Sequence, residues 1–263
     1  MIKLEKINMI FGEGTPDRNH VLRDVDLQIN KGDFITIIGS NGAGKTTLFN
    51  VVSGNKRPSS GKVIVNNKDV TNHPEYKRAK YIGRIFQDPL LGTAGNMSIS
   101  DNMLVAGNKG FKGLKISLNR KKREYFREQL KYLDIELENR MSDNVGMLSG
   151  GQRQALTLLM MSLSRPELVL LDEHTAALDP RNASKVMELT DKFIDEYGFT
   201  VMMITHNMQH AIDNGNRLLM MDEGRIILDI SGEEKNSMTV ESLIKKFHDI
   251  RNKDFATDKT LLS

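Results

Sequence analysis

Residues Phe34 to Leu48 read Phe-Ile-Thr-Ile-Ile-Gly-Ser-Asn-Gly-Ala-Gly-Lys-Thr-Thr-Leu, a stretch that leaves few folds open to the rest of the chain. Ile35 to Ile38 is a short β-branched run with the composition of a buried strand. Gly39 to Thr46 fits the phosphate-loop pattern of a glycine, four free positions, then Gly-Lys-Ser/Thr, and Thr47 to Val52 can continue as a helix. Glycine at 39, 42 and 44 lets the backbone turn successive N–H groups toward phosphate oxygens, and the new helix adds its own free N–H groups at the same place. A glycine-rich turn with a chance Lys-Thr pair does not account for strand, loop and helix in this order. The stretch therefore implies a nucleoside triphosphate site contributed by Gly39, Ser40, Asn41, Gly42, Ala43, Gly44, Lys45, Thr46 and Thr47. Lys45 is expected on the β- and γ-phosphates, and Thr46 on Mg²⁺.

The remaining sequence narrows the setting. A chain of 263 residues holds one large α/β domain, or a domain with a smaller insert. A net charge of +3 is too mild to argue for nucleic acid, and the absence of cysteine removes disulfides and thiolate metal sites. Met1 to Lys6 carries no apolar signal core, and no apolar run approaches the ~20 residues of a membrane span, so a soluble, cytoplasmic chain is expected. The 15 methionines, including the pairs at 160–161, 202–203 and 220–221, read as core filler.

In chain order, Met1 to Phe11 and Val21 to Ile29 alternate as strands, with the loop Gly12 to Pro16 between them. Phe11 is either an adenine-stacking platform, with Val21 packing nearby, or an ordinary core phenylalanine. Lys62 to Asn66 reads as a strand. Tyr81 to Pro89 reads as another, ending in Gln87, whose amide oxygen can ligate Mg²⁺ weakly and help orient a water. From Leu90 to Met147 glycines mark loops, Lys112 to Arg123 is basic, and Arg123 to Asn139 carries the helical stripe Phe126, Leu130, Leu133, Leu137. The basic run reads as a solvated face, with phospholipid head groups as the alternative. Asn207 to Asn214 reads as a short helix, Arg217 to Leu228 as two strands joined at Asp222-Glu-Gly224, and Val240 to Phe247 as an amphipathic helix followed by a polar tail.

Leu148-Ser-Gly-Gly-Gln152 opens an apolar helix-like run, and is followed by Leu168-Val-Leu-Leu-Asp-Glu173, Ala177-Leu-Asp179 and Val201 to His206. This ordered set resembles the ATP-binding cassette ATPases over essentially the whole chain. The resemblance implies a RecA-like phosphate-loop α/β core over 1–89 and 149–263, with an N-terminal antiparallel β subdomain, and a helical signature subdomain over 90–148. It makes Asp172 the Walker B aspartate on Mg²⁺ and Glu173 the general base. Gln87 becomes the Q-loop glutamine and His206 the switch histidine on the γ-phosphate. Asp179 becomes the D-loop, and Ser149, Gly150, Gly151 and Gln152 the signature that covers the ATP held by a second cassette. One departure stands out: the residue after the base, usually proline in the family, is His174 here, and it reads as taking over the turn position. The Glu-His-Thr variant is similar to a branch of importer ATPases for small solutes such as amino acids.

The resemblance further implies a peripheral subunit on the cytoplasmic face of the membrane. It would work as a dimer with an integral permease and an extracytoplasmic solute-binding protein, on ATP and Mg²⁺. A permease helix would dock between the Q-loop region and the helical insert. A single cassette with no C-terminal regulatory domain is expected. The alternative is a soluble, non-transport cassette ATPase acting on ribosomes, DNA or iron–sulfur assembly. Twin cassettes, a charged linker or long heptad arms would mark the first two, and none is visible.

Overall fold

The computed structural model describes residues 1–107 and 118–261, with side chains described through Arg251. Two compact units are formed, one from Met1–Val52, Lys56–Thr71 and Met202–Ser263, the other from Ser53–Asn55 and Asn72–Val201.

The first unit begins with a four-stranded antiparallel sheet in which Ile2–Phe11 lies between Asn19–Ile29 and Ser60–Val65, with the short Lys68–Asp69 outermost. Ile2, Leu4, Ile7 and Met9 are buried, so the inward parity changes between Leu4 and Ile7. A bulge explains the change: the ladder register shifts there, and Lys6 takes φ 44° and donates its N–H to the carboxylate of Asp26 on the paired strand. Phe34–Gly39 then pairs in parallel with Arg217–Asp222, which carries Arg225–Ser231 as an antiparallel hairpin partner. The buried run Ile35 to Ile38 is what a parallel strand covered on both faces requires. Ile38, Leu218, Met220 and Ile230 close a core with Ala211, Met238 and Leu243, and Phe247 of the C-terminal helix packs against it. That helix runs Val240–Leu261, longer than the Val240 to Phe247 segment the apolar pattern marks, and a short helix, Gly232–Asn236, precedes it. Arg251 pairs with Asp222 and Glu223, which ties down a stretch that reads as polar tail.

The second unit holds the parallel pair Ile82–Ile85 and Leu168–Asp172 and the helices Ile99–Ala106, Arg120–Lys131, Gly150–Ser164 and Pro180–Tyr197. The expected 90–148 segment lies within it. The strand read as Tyr81 to Pro89 stops at Ile85, because the Phe86 carbonyl is taken by the Gln154 amide at 3.3 Å and leaves the ladder. The stripe Phe126, Leu130, Leu133 and Leu137 is buried, its first two members on the helix and the last two beyond its end. Its helix is shorter than Arg123 to Asn139: Asn119 caps it, it ends at Lys131, and Asp134 and Glu136 take left-handed conformations before a 3₁₀ turn, Leu137–Asn139. Residues 112–117 of the basic run lie outside the described residues. Ile99–Ala106 replaces part of what reads as glycine-marked loop, with Ser98 as its N-cap. Among the methionine pairs, 202–203 and 220–221 are buried, whereas Met160 and Met161 are only half-buried.

Candidate nucleotide site

The phosphate-loop residues take the conformation their glycines permit. Gly39, Gly42 and Gly44 have φ of 151°, 84° and 96°. A Cβ on Gly39 would lie 2.1 Å from the Met221 carbonyl oxygen, and one on Gly44 would lie 2.9 Å from the Val21 carbonyl oxygen. Both positions thus demand glycine for space as well as for φ. The helix Lys45–Ser53 starts inside the motif, and the Lys45 ammonium donates to the carbonyls of Gly39 and Ser40 at 2.8 and 3.0 Å. Ser40 Oγ donates to Asp222 Oδ1 at 2.9 Å, and Arg251 holds the other oxygen of that carboxylate at 3.1 Å. Asn41, Gly42 and Thr46 are exposed, Thr47 is half-buried and Ala43 is buried.

Three further candidates belong to the same unit. Phe11 ends its strand 37% exposed, which is unlike a core phenylalanine. Val21 is half-buried on the paired strand, its carbonyl lining the approach to Gly44. His206 is exposed just beyond the strand Thr200–Ile204, in the turn where Thr205 N–H bonds Ile37 O and Asn207 caps the next helix.

In the second unit, Asp172 closes its strand with 7% exposure and accepts a 2.6 Å bond from Arg84. Glu173 follows at φ 49°, a left-handed backbone that costs a non-glycine residue of order 1 kcal/mol and that recurs at functional sites. His174 is buried, with Nε2 3.0 Å from Thr190 Oγ1. The Thr190 hydroxyl spends its proton on Val186 O at 2.8 Å, so its oxygen must accept from an Nε2–H. Burial lowers the His174 pKa from 6.5 to about 4, leaving a neutral ring at neutral pH. His174 is therefore an anchor from the Asp-Glu-His segment to the helix Pro180–Tyr197. Gln87 is exposed on the loop beyond Ile85.

Ser149 caps the helix Gly150–Ser164 through a capping box: Gln152 N–H donates to Ser149 Oγ, and Ser149 N–H to Gln152 Oε1. Asp179 caps the helix Pro180–Tyr197 and binds Asn182 through N–H and Nδ2 at 3.1 and 2.6 Å. Those bonds hold its carboxyl below the usual range. The two caps are neighbours, since a Cβ on Gly151 would come within 2.9 Å of Asn182. The anchoring residues Arg84, Gln154, Thr190 and Asp222 escape a motif-based reading. Arg84 alone carries a local signal: a charge inside the apolar strand Tyr-Ile-Gly-Arg-Ile-Phe requires a partner carboxylate.

Thr46 in the first unit and Asp172 in the second each offer oxygen donors only, a chemistry that suits a hard cation such as Mg²⁺. Among the described residues no group of three or more His, Cys, Asp or Glu could hold a metal ion alone. Among the described residues no helix is long and apolar enough to cross a membrane.

Residues 22–176 match the family model described as ABC transporter. A protein of Clostridioides difficile (strain R20291), "Tyrosine transport ATP-binding protein", is 41% identical over 248 residues, covering 94% of this chain and 98% of that protein. The ADP conformation of MJ1267, an ATP-binding cassette of an ABC transporter, superposes with a TM-score of 0.74 at 28% identity over 94% of this chain and 98% of that one. A dimeric post-hydrolysis cassette bound to ADP and Pi, MJ0796, gives 0.72 at 26% identity over 88% and 98%. The chain belongs to the ABC transporter family. It is an ATP-hydrolysing subunit whose catalysis is coupled to transport through a membrane protein.

Proposed function

We propose that this subunit powers the import of an aromatic amino acid of the tyrosine type. The observation that carries the reading is the 41% identity, over nearly the full length of both chains, to the "Tyrosine transport ATP-binding protein". The subunit sits on the cytoplasmic face of the membrane as a homodimer, bound to a permease that receives its solute from an extracytoplasmic binding protein.

In this reading Gly39 to Thr47 cradle the ATP phosphates, and Phe11 and Val21 hold the adenine. Thr46 and Asp172 hold Mg²⁺, with Gln87 as a weak third ligand. Held there, Mg²⁺ would supply charge neutralisation at the phosphate oxygens. Glu173 accepts the proton of the attacking water, and His206 contacts the γ-phosphate. Ser149 to Gln152 and Asp179 serve the nucleotide held by the second copy. The permease helix docks in a groove of about 340 Å³ lined by Gly83, Phe86, Gly92, Ala106, Thr157 and Met160. The half-buried methionine there supplies an adaptable apolar wall. Exposed Leu90, Leu91 and Val105, near Gly92 and Ala106 in sequence, supply further apolar surface.

The test is Glu173→Gln in the native host. The variant is expected to bind ATP and hydrolyse it about 10²–10⁴-fold more slowly. Purified with Mg-ATP from solubilised membranes, it should retain a multi-spanning protein, and deleting that protein's gene should abolish labelled tyrosine uptake. Near-normal turnover would refute the base, and normal uptake in the deletion strain would refute the solute.

A further inference from the structure

Strand Ile82–Ile85 runs parallel to Leu168–Asp172, with Arg84 opposite Leu170. Side chains two residues apart on a strand share a face, so Arg84 and Asp172 are diagonal neighbours. The guanidinium uses that placement: its Nη2 lies 2.6 Å from Asp172 Oδ2, with the two side chains only 8% and 10% exposed. The same guanidinium lies over the Phe86 ring, 4.7 Å from its centroid. The Phe86 carbonyl accepts from Gln154, a fully buried residue of the helix that Ser149 caps.

Neither charge is at ease there without the other. A carboxylate and a guanidinium withdrawn from water are tolerable as a pair, and removing one partner leaves a costly charge. A divalent cation arriving at Asp172 meets an oxygen already engaged by a fixed positive charge, and two cations on one carboxylate repel in a site of low dielectric. The Phe86 face gives the guanidinium a second attraction that survives loss of the carboxylate.

We propose that Arg84 is the resident counter-ion of Asp172 and competes with Mg²⁺ for it, so that Arg84 sets the free Mg²⁺ concentration at which the cassette takes up Mg-nucleotide. Arg84 is a positioning residue in this scheme. It acts through the carboxylate it holds. The proposal rests on the reading of Asp172 as a metal-holding residue.

The experiment is a free-Mg²⁺ titration of mant-AMP-PNP fluorescence on the full chain, comparing wild type with Arg84→Met and Arg84→Gln. Methionine removes charge and hydrogen bond; glutamine keeps a donor for Asp172 and removes only the charge. Close pairs of charges are typically coupled by about tenfold or more in equilibrium terms. On that scale the Mg²⁺ midpoint is expected to fall at least about tenfold in both variants. A midpoint unchanged or raised in a folded variant overturns the proposal, and if Arg84→Met fails to fold, Arg84→Gln decides. Binding that is independent of Mg²⁺ in the wild type refutes the metal reading of Asp172 and the proposal with it. A Mg²⁺-dependent wild type with unmoved variants refutes the proposal alone.

Discussion

Replacing His174 by glutamine should change how stability depends on pH far more than it changes stability at neutral pH. The imidazole is buried, and its pKa is lowered from 6.5 to about 4 by that burial. The unfolded chain carries an ordinary histidine that protonates near 6.5; the folded chain resists protonation until about pH 4. Because the folded value is depressed, the stabilising contribution is intact above the unfolded value and drains away as pH falls through the folded one. Between pH 6.5 and 4 the wild type should therefore lose up to about 1.4 kcal/mol per pH unit on this account, roughly 3 kcal/mol in all. Glutamine does not titrate and can still donate to Thr190 Oγ1, so the variant lacks this slope while keeping the bond. Urea denaturation from pH 7.5 to 4.5 measures both proteins, and subtracting one slope from the other cancels the carboxylates they share. Parallel slopes would refute the buried neutral ring, as would an NMR titration in which all 6 histidines protonate near 6.5.

Gly39→Ala places a Cβ 2.1 Å from the Met221 carbonyl oxygen at φ 151°, so it should cost at least about 1–3 kcal/mol and abolish ATP binding; a melt and nucleotide titration matching wild type would contradict it. Gly151→Ala must push aside Asn182, which Asp179 holds, while alanine suits the helix itself. It should lower ATPase activity about tenfold or more with a nearly unchanged melting temperature, and full turnover would show that the contact is idle. Phe11→Ala should weaken ATP binding by about 1–3 kcal/mol, the worth of one stacked base, with little loss of nucleotide-free stability. The opposite pattern, a large stability loss with normal affinity, would make Phe11 a core residue after all.

What was legible in the sequence is what the backbone decides locally. The glycines at 39, 42 and 44, the helix opened by Ser149 to Gln152, and the helical pair Phe126 and Leu130 depend on neighbours a few residues away. The helix Pro180–Tyr197 carries signals of the same kind that a motif-based reading passes over: Asp179 as N-cap, Pro180 at the first position, and Val186, Leu189 and Phe193 buried on one face. The strand end at Ile85 was not legible, because it is set by Gln154 reaching Phe86 from 68 residues away. Nor was the end of the Arg120–Lys131 helix, where Asp134 and Glu136 adopt left-handed backbones that such residues only uncommonly take. The partners of Asp172 and His174 were hidden for the same reason, since they come from strand pairing and helix docking.

Those hidden partners explain how Glu173 keeps an unfavourable backbone. A residue at φ 49° persists only where its surroundings over-determine it. Asp172 on one side is fixed by the ladder and by Arg84, and His174 on the other by its bond to Thr190 in a buried helix face. The strain therefore falls on the residue held between two anchored neighbours. A proline at 174 would bias Glu173 toward extended backbone by its ring alone; histidine instead anchors the turn through a bond that reaches across to the helix Asp179 caps. The departure from the family pattern thus exchanges a local constraint for a long-range one. Glu173 is then placed by the packing of the second unit as much as by its own turn.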